Sequence, residues 1–196
     1  MSEDFRFEVI AAGFTGDSTI PLAALSHEDG MVRASALRAL ARIETLTDEI
    51  LSPYISDVHI ETRRTAVELA ALYPSVNVHQ CLDDSDVFVA EMAAWCLGER
   101  TPASDIEIET LIDRTTTHEE AVVREACAAA LGSLGDERGL PAILAACSDK
   151  PAVRRRAILA LAPFEGDEVD AALQRALEDK DWQVRQNAED LLNPRG

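Results

Sequence analysis

Aromatic side chains are scarce, at 5% of 196 residues, while apolar residues reach 47%. Strands favour aromatic and β-branched residues, so a chain led by alanine and leucine is written for closely packed helices. Cations are also short: 18 lysines and arginines face 36 acids, a net charge of −18. Such a surface repels nucleic acid phosphates and anionic lipid heads, which argues against general DNA, RNA or membrane-surface binding. Only two of the cations are lysine, Lys150 and Lys180, a bias that a high-salt cytoplasm and a GC-rich genome both produce. The four cysteines, Cys81, Cys96, Cys127 and Cys147, form no CxxC pair and sit inside apolar helical runs. They read as small buried hydrophobes in a reducing compartment, with no metal site and no cofactor expected. No apolar run approaches the roughly 20 residues of a membrane span. The acidic start Met1-Ser2-Glu3-Asp4 makes a poor signal peptide, so the expectation is a cytoplasmic protein.

What the chain does have is a repeat. An acidic loop, a Val-Arg element and a run of alanine and leucine at helical spacing recur at Val32-Arg33, Thr62-Arg63, Val89-Ala90, Val123-Arg124, Val153-Arg154 and Val184-Arg185. The steps are 30, 27, 34, 30 and 31 residues. Counting the first residue of each pair as zero, positions four, seven and eight are small or apolar in every copy, from Ala36, Ala39 and Leu40 to Ala188, Leu191 and Leu192. Offsets of 0, 4, 7 and 8 share one face of an α-helix, so each copy holds an amphipathic helix. Turns such as 135–139 and 163–167, and prolines in first helical turns (Pro21, Pro141), mark a shorter helix before it. The spacing predicts helix–turn–helix units that bury their apolar stripes by stacking. No linker or low-complexity segment is visible, so the chain reads as a single repeat domain over 1–196, with a cap and first helix in 1–25, repeats in 26–180 and a capping helix in 181–196.

The run from Glu119 to Leu192, including VVREACAAALGSLGDERGLPAILAACSDKPAVRRRAILALAPFEGDEVDAALQRALEDKDWQVRQNAEDLL, resembles tandem HEAT-like repeats of the type first named in phycobilisome lyases. The resemblance implies a right-handed α-solenoid of about six two-helix repeats, an α-α superhelix. It says little about activity, because this repeat serves many functions. In proteins of this type the arginine after each valine joins an Asp–Arg ladder between repeats. Here that role falls to Arg33, Arg63, Arg124, Arg154 and Arg185, with acids four to six residues earlier such as Asp29, Asp57, Glu120, Asp149 and Asp179. One HEAT-like enzyme, deoxyhypusine hydroxylase, binds two irons through His-Glu pairs within the helix just after the Val-Arg element. His27-Glu28 and His118-Glu119 instead precede it, and Ala34-Ser35 and Glu125-Ala126 hold the matching helical positions. Capping of the helix start is the better reading of both pairs. HEAT-like DNA glycosylases need a basic, aromatic-lined surface that this acidic chain lacks, and no Ser/His/Asp set or phosphate-cradling loop is visible.

The resemblance also implies that the exposed side of each second helix lines a concave surface. There the third repeat departs from the rest: its flanking steps are 27 and 34, Ala90 replaces the arginine, and Met92 and Trp95 occupy positions three and six. A tryptophan and a methionine in a groove form an anchor for a partner; buried in a rotated repeat, they are core instead. Arg155 and Arg156, in a cluster with Lys150 and Arg154, either pair with nearby acids or hold an acidic partner segment. The expected function is a non-catalytic scaffold that binds a protein or peptide through Arg64, Glu91, Met92, Trp95, Glu125, Arg155 and Arg156. The alternative, by analogy of repeat type, is a subunit of a bilin-lyase-type enzyme acting on a chromophore–protein substrate.

Overall fold

The computed structural model describes residues 2–193; Met1 and the last three residues of the expected C-terminal cap, 194–196, lie outside the described residues. Twelve α-helices and no strand occur among the described residues. The chain divides into two compact units, residues 1–96 and 97–196.

In the first unit α1 (Ser2–Thr15) is followed by α2 (Thr19–Ala24) and α3 (Gly30–Arg42), then α4 (Asp48–Leu51) and α5 (Ile60–Leu69), and α6 (Val87–Gly98), whose last two residues enter the second unit. The helices that carry the Val-Arg element are long, because their apolar face repeats over three turns. Those that precede it are short here. α4 is one turn continued by a 3₁₀ segment, Ser52–Ser56, and α6 is preceded only by a 3₁₀ turn, His79–Asp83. This shrinkage accounts for the 27-residue step. α1 packs on α3 as α3 packs on α5, so the N-terminal helix lies in the row of second helices rather than first ones.

The second unit is more regular: α7 (Asp105–Thr117) with α8 (Ala121–Leu134), α9 (Leu140–Ala146) with α10 (Pro151–Ala160), and α11 (Asp167–Ala176) with α12 (Trp182–Leu192). First helices stack on first (α7 on α9) and second on second (α8, α10, α12), the translational stacking of a helix-pair solenoid. Gly135, with φ +63°, ends α8 in the left-handed conformation that glycine adopts without strain. Pro141 then sits in the first turn of α9.

The seams are lined as the spacing predicts. Position zero is buried in all six copies, and so is position four. Thr62, the one departure from valine at position zero, puts its hydroxyl to use by donating to the Gly30 carbonyl at 3.0 Å. Small residues let the rows close up. A Cβ on Gly132 of α8 would lie 2.6 Å from the Cα of Ala160 in α10, so the two backbones touch without an intervening side chain. Leu37, Leu40, Leu51 and Leu82 fill the core of the first unit, and Leu111, Leu131, Ile143, Ile158 and Leu161 that of the second. Burying each such side chain stabilises by roughly 1.5–3 kcal/mol.

Candidate partner-binding surface

The arginines that follow the valines do two things at once. Arg124 forks onto Asp149 of the next repeat through Nε (2.6 Å) and Nη2 (2.8 Å), while Nη1 donates to the carbonyls of His118 and Glu119 in its own loop. Arg33 meets Asp57, Arg63 meets Asp84 and Arg154 meets Asp179 in the same way. Each aspartate is held in turn by a backbone N–H one or two residues on, as His59 N–H donates to Asp57 and Asp181 N–H to Asp179. The pairing therefore runs from an arginine to the acid of the following repeat, not to the acid of its own loop. Hydrogen bonds from Arg124 and Arg154 hold the Asp149 and Asp179 carboxyls below the usual range. At Asp57 and Asp84 burial is the largest single influence and pushes upward, and the arginine hydrogen bond, a backbone N–H and the guanidinium charge together outweigh it.

The ladder has gaps. Arg185 donates to the Asp179 and Lys180 carbonyls of its own loop. Asp29 and Glu120 serve as the N-cap residues of α3 and α8. The place six residues before the arginine, aspartate in the Arg63 and Arg185 copies, is histidine in the copies of Arg33 and Arg124. His27 Nδ1 accepts the Asp29 N–H at 3.0 Å and His118 Nδ1 the Glu120 N–H at 3.1 Å, as aspartate does elsewhere. The His-Glu pairs thus shape loops, and Asp29, not His27 or Glu28, caps the start of α3 by accepting from Met31 N–H. Among the described residues no three His, Cys, Asp or Glu side chains gather closely enough to hold a metal ion.

Of the residues proposed to meet a partner, Arg64, Glu91, Met92 and Trp95 lie in the first unit. Trp95 is 45% exposed and Met92 half-buried. Position three is not uniformly open, since Ser35 and Thr65, the equivalents of Met92, are buried. At position six Arg38 pairs with Glu68 at 2.6 Å, so Trp95 follows a row of solvent-facing charge. In the second unit the remaining candidates are all paired within the fold: Arg156 with Glu125 at 3.7 Å, and Arg155 with Asp181 at 3.5 Å and Gln183 at 2.7 Å.

The periodicity did not single out a cleft of about 400 Å³ at the first turns of α3, α5 and α6. Its walls include Met31, Ile60 and Phe88, which are 37%, 46% and 55% exposed, with Asp29, Glu61, Asp86 and Arg64 around them. The signal was present: in each of the first three copies a large apolar residue, Met31, Ile60 or Phe88, stands one or two positions before position zero, within two positions of an acid. Also unread was a buried pair between α6 and α7, where Arg100 donates to Glu107, whose other carboxylate oxygen accepts from the Ser104 N–H and hydroxyl at 2.8 Å. The Ser-x-x-Glu spacing of a capping box announces it.

Residues 108–193 match the family of HEAT repeats. No curated protein matches the sequence. Among solved structures, a designed armadillo repeat protein in complex with the peptide (KR)4 is similar over 88% of this chain and 96% of its own, with 17% identity and a TM-score of 0.62. Computationally designed armadillo repeat proteins for modular peptide recognition are similar over 94% and 97%, with 14% identity and a TM-score of 0.56. Human deoxyhypusine hydroxylase, in complex with glycerol, is similar over 96% of this chain and 77% of its own, with 23% identity and a TM-score of 0.50. At these identities the likeness is one of fold: stacked helix pairs of the α-solenoid class. No helix among the described residues is long and apolar enough to cross a membrane.

Proposed function

We propose that this HEAT-like repeat protein is a non-catalytic scaffold that holds a protein or peptide against the exposed side of its second helices. The observation that carries the reading is the outer face of α6. Phe88, Met92 and Trp95 follow one another at offsets of four and three, so they share a face, and the two aromatic rings are about half exposed. A tryptophan kept in water on a helix already packed on its other side is the usual start of a binding hot spot. Arg64 and Glu91 border this face. Glu125, Arg155 and Arg156 offer a polar counterpart in the second unit, through pairs that a partner's charges would exchange into. Of the structures of similar fold, one designed repeat protein is in complex with a peptide and others were designed for modular peptide recognition, which supports the same use here. The four thiols suit a reducing cytoplasm: Cys81, Cys96 and Cys127 are buried, and burial pushes the Cys147 thiol up to about 11.

The test is capture of partners from the native cytoplasm on immobilised protein, comparing the wild type with Trp95→Ala and identifying bound proteins by mass spectrometry. The variant is expected to lose a specific subset while circular dichroism and melting stay within about 1 kcal/mol of wild type, as for an exposed site. Undiminished capture by Trp95→Ala, or collapse of the fold, removes Trp95 from the interface and the proposal with it.

A further inference from the structure

We infer that the cleft at the first turns of α3, α5 and α6 receives a basic, extended peptide segment, its lysine or arginine stems lying on Met31, Ile60 and Phe88 and its cationic heads on the acids of the rim. This rests on the scaffold reading above and names the chemistry of the partner. Three observations carry it. The first is the pairing of surfaces. The cleft joins an exposed apolar wall to Asp29, Glu61 and Asp86, with Arg64 as the single lysine or arginine in its lining. A purely apolar partner has no use for that acidic rim, and an acidic one is repelled by it. A long basic side chain has both halves, an aliphatic stem and a charged head. Exposed aromatic faces such as Phe88 add attraction for the cation.

The second observation is where the positive charge of this unit goes. Residues 1–96 hold sixteen acids and six arginines. Five of those arginines are engaged within the fold: Arg33 and Arg63 in the ladder, Arg38 on Glu68, Arg6 on the Ser35 hydroxyl and Arg42 over the Phe14 ring. The excess of carboxylates is therefore a property of the surface that a partner meets.

The third observation disposes of the opposite reading. Three helices begin at this cleft, and helix starts attract anions. At two of them the demand is already met from within the chain. Asp29 accepts the Met31 N–H at 2.8 Å, and Asp86 accepts the Phe88 and Val89 N–H groups at 3.1 and 3.2 Å. Those carboxylates cancel the partial positive charge that a phosphate or an acidic peptide would seek. The apolar wall also continues away from the cleft along α6 through Met92 and Trp95, giving an extended segment a track beyond its first anchor.

The experiment uses the full chain and fluorescent synthetic peptides of ten residues: one alternating arginine and leucine, one with glutamate in place of arginine, and one alternating serine and leucine. Fluorescence anisotropy is read at about 150 mM salt, where distant surface charges are screened beyond about 8 Å. The basic peptide is expected to bind, and the acidic and neutral ones to bind at least ~10-fold more weakly. Phe88→Ala and Glu61→Lys should each weaken the basic peptide ~10-fold or more, since each removes one half of the recognition. Glu165→Lys, the same charge change at an exposed position of the second unit, should leave it within ~2-fold. Both cleft positions are exposed, and circular dichroism checks the fold; if Phe88→Ala unfolds, Glu61→Lys decides alone. Equal loss in Glu61→Lys and Glu165→Lys, or binding of the acidic peptide as tightly as the basic one, overturns the inference. If the basic peptide fails to bind while partner capture still depends on Trp95, the scaffold reading stands and only the assignment of a basic partner falls.

Discussion

Gly132 has no room for a methyl group, and that sets a sign that helix propensity alone gets wrong. Alanine is favoured over glycine in a helix interior by about 1 kcal/mol. A Cβ at 132 would meet the Ala160 backbone at 2.6 Å, and backbone does not move aside as a side-chain tip does. Overpacking of this kind costs typically 1–3 kcal/mol and here opens the seam between α8 and α10. Gly132→Ala is therefore expected to lower the urea midpoint, and a rise would show that the seam is looser than the geometry says. The ladder gives a paired comparison at the same scale. Arg124→Met leaves Asp149 without its guanidinium and strands two loop carbonyls, for a loss of about 2–4 kcal/mol. Arg185→Met removes an exposed side chain whose described bonds go only to carbonyls of its own loop, and should cost about 1 kcal/mol or less. Equal losses in chemical denaturation would mean that the fork onto the next repeat adds nothing.

Among the elements, the second helices were legible from their period, and the first helices only where a turn or a first-turn proline marked them, as at Pro21 and Pro141. A helix of three turns shows its buried face at offsets 0, 4, 7 and 8, and Val32, Ala36, Ala39 and Leu40 are all buried. One turn shows no period, so α4 and the 3₁₀ turns at Ser52–Ser56 and His79–Asp83 left only an irregular step in the repeat. Trp95 was legible because it breaks the register of its own helix. Met31, Ile60 and Phe88 were missed because they belong to three different helices, and only folding brings them to one cleft. The same shortness has a dynamic consequence. Segments with few internal hydrogen bonds open locally at lower free energy than long packed helices. Amides of 52–56 and 70–83 should thus exchange with deuterium well before those of α8 and α10, as read by hydrogen-exchange mass spectrometry. Uniform protection along the chain would contradict the ranking.

At the scale of the whole molecule two electrostatic effects oppose each other, and pH separates them. A net charge of −18 at neutral pH makes the compact state repel itself. Acidification toward the isoelectric point near 4.5 removes that repulsion and should raise the melting temperature between pH 7.5 and pH 5. The ladder works in the other direction. Asp57, Asp84, Asp149 and Asp179 have carboxyls held below the usual range in the folded chain, chiefly by arginine hydrogen bonds for the last two. A group lowered on folding contributes its full stability above its unfolded pKa, about 3.9, and loses it as the pH falls through the folded value. Stability should therefore peak near pH 5 and fall steeply below about pH 4, where both units lose rungs. An Arg124→Met/Arg154→Met double variant, less stable at every pH above that window, should show a shallower acid limb, because two of the four linked protonations lose the largest cause of their difference between folded and unfolded chain. Scanning calorimetry from pH 3 to 8 reads both limbs. An acid limb as steep in the double variant as in the wild type would detach acid sensitivity from the ladder and leave it to the carboxylates at large.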